Sequence, residues 1–214
     1  PTLQINLGEA EKDYSMGAAT ALPTGSGSYL NLDHPMATAS GELAAVLTND
    51  TNYASISATT NASQSAVPAF MFKTPNTNKN NTNYISTKVI AKSNAPPSAR
   101  TLYLQVYRAG STNNWETIAS DNTSVADTEV TLTGIISSNR EEYYQLQSGT
   151  ENQYWSYWRL YQDAPGAYLN ETLSVDYASF AYATSPSDFN DPAAYWEFDE
   201  GSGKGVRLIF LKCV

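Results

Sequence analysis

Between Tyr154 and Gln162 the sequence sets Trp155, Tyr157, Arg159 and Tyr161 at every second position. Alternation puts these four on one face of a β-strand and Tyr154, Ser156, Trp158 and Leu160 on the other. Flat aromatic rings stack on the C–H-rich faces of sugars, covering much apolar area with little loss of side-chain freedom. Trp155, Tyr157 and Tyr161 are therefore glycan-stacking candidates. The same rings would also serve as packing, in a core or at a subunit contact, and the sequence leaves both readings open.

Other chemistry has less to build on. His34 is the only histidine and lies in an expected loop, Asp33-His34-Pro35, with no second histidine or cysteine nearby for a zinc site or a Ser/His triad. Glycoside hydrolysis needs two carboxyls about 5–10 Å apart across a cleft. The candidates are Glu141 with Glu142, and Glu197 with Asp199 and Glu200. Each group falls in an expected turn or linker, so the expectation is no enzyme. Asn-X-Ser/Thr sequons at Asn49, Asn61, Asn80, Asn122 and Asn170 are glycosylation candidates, although a chain this rich in Asn, Ser and Thr also produces sequons by composition.

Composition narrows the partners. Only 15% of the 214 residues are charged and the formal net charge is −9. A nucleic acid needs Lys and Arg to displace its counterions, so no nucleic-acid partner is expected, nor an anionic lipid surface. No stretch approaches the roughly 20 apolar residues of a membrane helix, so no membrane insertion is expected. Cys213 stands alone, which rules out an internal disulfide. The chain starts at Pro1 without an initiator methionine, as expected of a processed or trimmed form. Few charges, many small polar residues and 12% aromatics suit an extracellular or cell-surface β protein.

The elements that must position the aromatic face are short strands. Tyr154–Gln162 and Thr172–Ala183 flank a loop with Asp163, Pro165 and Gly166. In the second strand, simple alternation places Leu173, Val175 and Tyr177 together, opposite Ser174, Asp176 and Ala178. Thr101–Arg108 alternates Leu102, Leu104 and Val106 against Tyr103, Gln105 and Tyr107. Leu43–Leu47, Tyr53–Ala58, Ala69–Lys73, Tyr84–Lys92, Trp115–Ile118, Glu129–Thr133 and Glu142–Leu146 read as further strands. Turn signals every 8–15 residues and the absence of an amphipathic helix predict an all-β fold, an antiparallel β-sandwich of jelly-roll type with extended terminal strands. The expected organisation is a sandwich over residues 1–183 (core about 40–183), a linker over 184–194, and a strand extension over 195–214.

Both ends are apolar strands. Leu3, Ile5 and Leu7 share a face near one end, and Val206, Leu208 and Phe210 near the other. A strand donated to a neighbour's open edge supplies main-chain hydrogen bonds, and such head-to-tail contacts propagate. This predicts copies of the chain as partners, in a homopolymeric surface appendage or filament.

The order LTNDTNYASI (Leu47–Ile56), RTLYLQVYRAGSTNNWETI (Arg100–Ile118), WRLYQ (Trp158–Gln162) and LSVDYASF (Leu173–Phe180) resembles jelly-roll modules of large surface and secreted proteins of bacteria and archaea. Those modules sit beside carbohydrate-active or adhesive domains. The resemblance implies the alternative function of a carbohydrate-binding module or lectin-like adhesin domain, with glycans as partners. GEAEKDY (Gly8–Tyr14) with GSGSYLNL (Gly25–Leu32) is similar to the opening of calcium-dependent carbohydrate-binding jelly rolls. That similarity implies a structural Ca2+ held by Glu9, Glu11 and Asp176. YWEFDEGSG (Tyr195–Gly203) resembles the first strand of a laminin-G or concanavalin-like sandwich, without the rest of that domain.

Overall fold

The computed structural model describes residues 13–19, 34–35, 45–46, 49–57, 67–76, 84–110, 114–146, 154–163 and 171–183. The terminal strands expected around Leu3–Leu7 and Val206–Phe210 lie outside these residues, as do the 184–194 linker and the laminin-G-like segment.

Eleven strands are described: β1 (Asp13–Ala19), β2 (His34–Pro35), β3 (Ala54–Ser57), β4 (Val67–Asn76), β5 (Tyr84–Ser93), β6 (Leu102–Arg108), β7 (Asn114–Asp121), β8 (Val130–Ile136), β9 (Gln145–Leu146), β10 (Tyr154–Gln162) and β11 (Thr172–Ala183). They form two antiparallel sheets. The larger runs β2-β1-β4-β10-β6-β7, with β9 also paired to β10, and the smaller runs β3-β11-β5-β8. The protein is an antiparallel β-sandwich.

Alternation explains the core. From the larger sheet come Phe70 and Phe72 on β4, Leu102, Leu104 and Val106 on β6, and Trp158 and Leu160 on β10. Ala54, Ile56, Ile85, Val89, Ala91, Val130, Leu132, Ile136, Leu173, Val175, Ala178 and Phe180 face them from the smaller sheet. These are the apolar and β-branched residues that fill the gap of about 10 Å between packed sheets. Trp158 sits at the centre, stacked on Phe72 with ring centroids 4.1 Å apart and tilted against Phe180 at 5.6 Å.

One end of the sandwich carries a buried polar hub. Gln162 is wholly buried; its Nε2 donates to the carbonyls of Ala95 (3.0 Å) and Arg100 (3.1 Å), and its Oε1 accepts from Ser93 Oγ at 2.5 Å. Beside it Arg100 forms a buried ion pair with Glu171. The hub ties the β5–β6 turn to β10 and β11, which are otherwise in different sheets.

Several expectations change. Phe180 and Ala178 face the core on β11, and Tyr177 does not join Leu173 and Val175. A register shift between Val175 and Tyr177 inverts the alternation at Asp176, as a β-bulge does when it inserts one residue into a ladder. Residues 140–143 form a 3-10 turn, so only Gln145–Leu146 of the expected Glu142–Leu146 strand is paired as a strand. His34, expected in a loop, pairs in β2 with Met16 of β1. Ala45 and Val46 are not in a strand.

Candidate functional site

The outer side of an antiparallel sheet is usually its polar, solvated face. On the larger sheet it is aromatic instead. The ladder β10–β6–β7 sets Tyr161 opposite Tyr103, and Tyr103 opposite Ser120; in the next row Arg159 lies opposite Gln105, and Gln105 opposite Thr117; beyond it Tyr107 lies opposite Trp115. Tyr103 and Tyr161 stack at 5.1 Å, and Tyr107 meets Trp115 edge-on at 5.3 Å. On the β4 side Ala69 and Met71, opposite Tyr161 and Arg159, are buried. Trp155 and Tyr157 extend the same face along β10. The seven residues from Trp155 to Tyr161 span about 20 Å of strand.

Arg159 is the centre of this face. Its guanidinium lies 4.1 Å from the Trp115 ring and 5.2 Å from that of Tyr161, and its Nε donates to Gln105 Oε1 at 2.9 Å. Only 4% of Arg159 is exposed, whereas Trp115 is half-buried. The indole therefore roofs the guanidinium and turns its other face outward. Burial lowers the Arg159 pKa to about 10, partly offset by the nearby Tyr161 phenol, which leaves the group charged at neutral pH. Burial also raises the Tyr161 pKa, against the opposing effect of the guanidinium. The indole N–H of Trp115 is buried and meets no acceptor among the described residues.

Strand β7, which carries Trp115 and Thr117, is positioned by features invisible in its own sequence. A register shift between Leu104 and Gln105 lets both Ile118 and Ala119 pack on the core while Thr117 and Ser120 stay outside. Ile118 fits because residue 134 of β8 is glycine; a Cβ there would sit 2.7 Å from the Ile118 side chain. At the hairpin end, Gly110 N donates to Glu142 O at 2.9 Å, and Arg108 bridges Glu142 and Glu116. Tyr143 O–H donates to the same Glu116 carboxylate at 2.7 Å. Glu142, weighed for hydrolysis, is thus the partner of Arg108.

Among the expected stacking residues, Trp155 is buried and Tyr157 and Tyr161 are half-buried, all on the outer face. The structure adds Tyr103, Trp115, Gln105 and Thr117. Alternation already put Tyr103 and Gln105 on one side of β6; what the sequence lacked was the neighbour order β10-β6-β7.

Asp176 is fully buried at the β11 bulge. Its Oδ1 accepts from the backbone N–H groups of Asp50 (3.2 Å) and Thr51 (3.0 Å), and its Oδ2 has no partner among the described residues. Glu9 and Glu11 lie outside those residues. No three His, Cys, Asp or Glu side chains gather into a metal-binding group among the described residues. The sequons at Asn49 and Asn122 are exposed; Asn61, Asn80 and Asn170 lie outside the described residues. So do Leu3, Ile5, Leu7, Val206, Leu208, Phe210, Glu197, Asp199 and Glu200. No described helix is long and apolar enough to cross a membrane.

No family model matches the chain, and no curated protein matches it. Solved structures that match the chain include three. A CBM4 structure shares 8% identity over 61% of this chain and 92% of its own, at a TM-score of 0.35. The enzymatically active domain of bacteriophage CBA120 tailspike protein 4 shares 12% identity over 61% of this chain and 18% of its own, at 0.32. The CBM22-1–GH10 modules of the Clostridium thermocellum N-terminal endo-1,4-β-D-xylanase 10B, complexed with xylohexaose, share 12% identity over 59% of this chain and 25% of their own, at 0.27.

Proposed function

We propose that this protein is a carbohydrate-binding β-sandwich whose site is the outer face of the larger sheet. The observation that carries this reading is the aromatic layer of Tyr103, Tyr161 and Trp115, the last two set against the Arg159 guanidinium, on a face where a sandwich ordinarily places polar residues. From the Tyr103–Tyr161 row to the Tyr107–Trp115 row the layer advances four residues, about 13 Å of strand, which matches a short oligosaccharide better than a single sugar. Thr117 and Ser120, both exposed at its margin, supply the hydroxyls that orient a sugar. The self-assembly reading rests on terminal strands outside the described residues, so sugar binding takes its place as the preferred function, in a secreted or surface setting.

The test is calorimetric titration of the full chain with cellohexaose, xylohexaose and an oligogalacturonate. At least one should bind, and Trp115→Ala with Tyr161→Ala should weaken that binding by roughly 30-fold, the loss of about 2 kcal/mol typical of a buried aromatic anchor. No binding in the panel, or undiminished binding by the double variant, rejects the reading.

The same domain is proposed to hold a structural Ca2+ at Asp176. An unpartnered oxygen on a buried carboxylate suits a hard cation that takes oxygen ligands, and the cation would link the Asp50–Thr51 turn to β11. Glu9 and Glu11 are the other side chains proposed for it. Chelation should then lower the melting temperature of the native chain and leave that of Asp176→Asn unchanged. A native melting temperature indifferent to chelator ends the idea.

A further inference from the structure

We infer that Thr117 Oγ is the specificity-determining hydrogen-bond donor of the sugar-binding face, its direction fixed by Gln105 and Arg159; this rests on the sugar-binding reading above. A guanidinium has only N–H donors and no acceptor. Arg159 Nε therefore requires the oxygen of the Gln105 amide, which it meets at 2.9 Å. That contact fixes which end of the amide is which, an assignment otherwise open to a flip. The Gln105 NH2 group must then point the other way, and it donates to Thr117 Oγ1 at 2.9 Å.

Thr117 Oγ1 thus accepts from inside the sheet. A hydroxyl carries one proton, and no described residue accepts it. The side chain is exposed, between Trp115 and Ser120 on the outer row of β7 and one row from the Tyr103–Tyr161 stack. The proton faces the position of a sugar stacked on those rings. The relay consequently selects an acceptor there: a ring oxygen, a hydroxyl lone pair or a carboxylate oxygen. It disfavours a ligand that presents only a donor. Gln105 and Arg159 are positioning residues, buried behind the hydroxyl they orient.

Three variants test this with the same hexasaccharide probes. Thr117→Val keeps the shape and removes the donor; it should bind at least tenfold more weakly with an unchanged melting temperature. Thr117→Ser keeps the hydroxyl and should bind like the native chain. Gln105→Glu replaces the amide with a carboxylate that accepts from both Arg159 and Thr117. The Thr117 proton then turns inward, so this variant should also lose about tenfold in affinity, while its new ion pair keeps the melting temperature equal or higher. A structural role alone would not weaken binding while preserving stability. Native affinity in either Thr117→Val or Gln105→Glu overturns the inference; if Trp115→Ala with Tyr161→Ala still weakens binding, the face remains the site without this donor. Native affinity in the aromatic double variant, or no binding by the native chain, removes both.

Discussion

Trp158→Ala is expected to lose about 3–5 kcal/mol of stability, the scale of large aromatic truncations in closed cores. The ring is 0% exposed and fills the space between the sheets, against Phe72 on its own sheet and Phe180 on the other. Its removal opens a cavity with walls on both layers, and neither sheet can close it without shifting its ladder. It also takes the donor from Thr74 Oγ1, which Trp158 Nε1 meets at 3.1 Å in a fully buried setting. Around that bond Tyr182 O–H lies 3.1 Å from both Thr74 O and Ser156 Oγ, and burial raises the Tyr182 pKa. Trp158→Phe separates the two contributions. It keeps most of the apolar contact and deletes the N–H, and is expected to cost about 1–3 kcal/mol. Denaturant titration measures both, read as a fall in midpoint with the slope unchanged. A loss below about 1 kcal/mol for Trp158→Ala would mean that the sheets are not packed through this ring.

The boundaries of β10 and β11 were legible because both strands are long, aromatic and bracketed by turn residues, and the Leu102–Leu104–Val106 face of β6 was legible from alternation alone. Which aromatic face of β10 is core was not. Trp155, Tyr157 and Tyr161 look as apolar as Tyr154, Trp158 and Leu160, and only the neighbours across the sandwich separate them. The two bulges were hidden for a related reason. At β11 the extra residue is Asp176, turned to meet the Asp50 and Thr51 N–H groups more than a hundred positions away, and local alternation cannot register such a partner. At β7 the irregular pair Ile118–Ala119 depends on Gly134 in another sheet. The Arg159–Gln105–Thr117 relay joins three strands, so each member looks like an ordinary strand residue in sequence. The 3-10 turn at 140–143 is hidden in the sequence because Tyr143 and the adjoining Tyr144 look like strand residues, whereas Asn139, at a left-handed φ of 48°, starts a turn.

Glu171→Gln is expected to destabilise the sandwich by about 3–5 kcal/mol, because removing one partner of a buried ion pair withdraws the charge that offsets the burial of the other. The side chains of Arg100 and Glu171 are 5% and 7% exposed, so water cannot take over from the lost carboxylate. The loss should spread beyond the pair. Arg100 O accepts from Gln162 Nε2, Asp163 N donates to Thr101 O at 2.9 Å, and Thr172 N donates to Asn94 Oδ1 at 2.8 Å. The hub therefore holds together the β5–β6 turn and the adjacent ends of β10 and β11. For a chain of this size the melting temperature should fall by roughly 6–20 °C. The opposite arm is Arg100→Met combined with Glu171→Leu. It removes both charges and fills the volume with apolar atoms, so it should recover most of the loss or exceed native stability. A single variant that melts like the native chain would show the pair to be dispensable. A double variant as unstable as Glu171→Gln would place the cost in the shape of the hub and its amide network, with the charge no longer the cause.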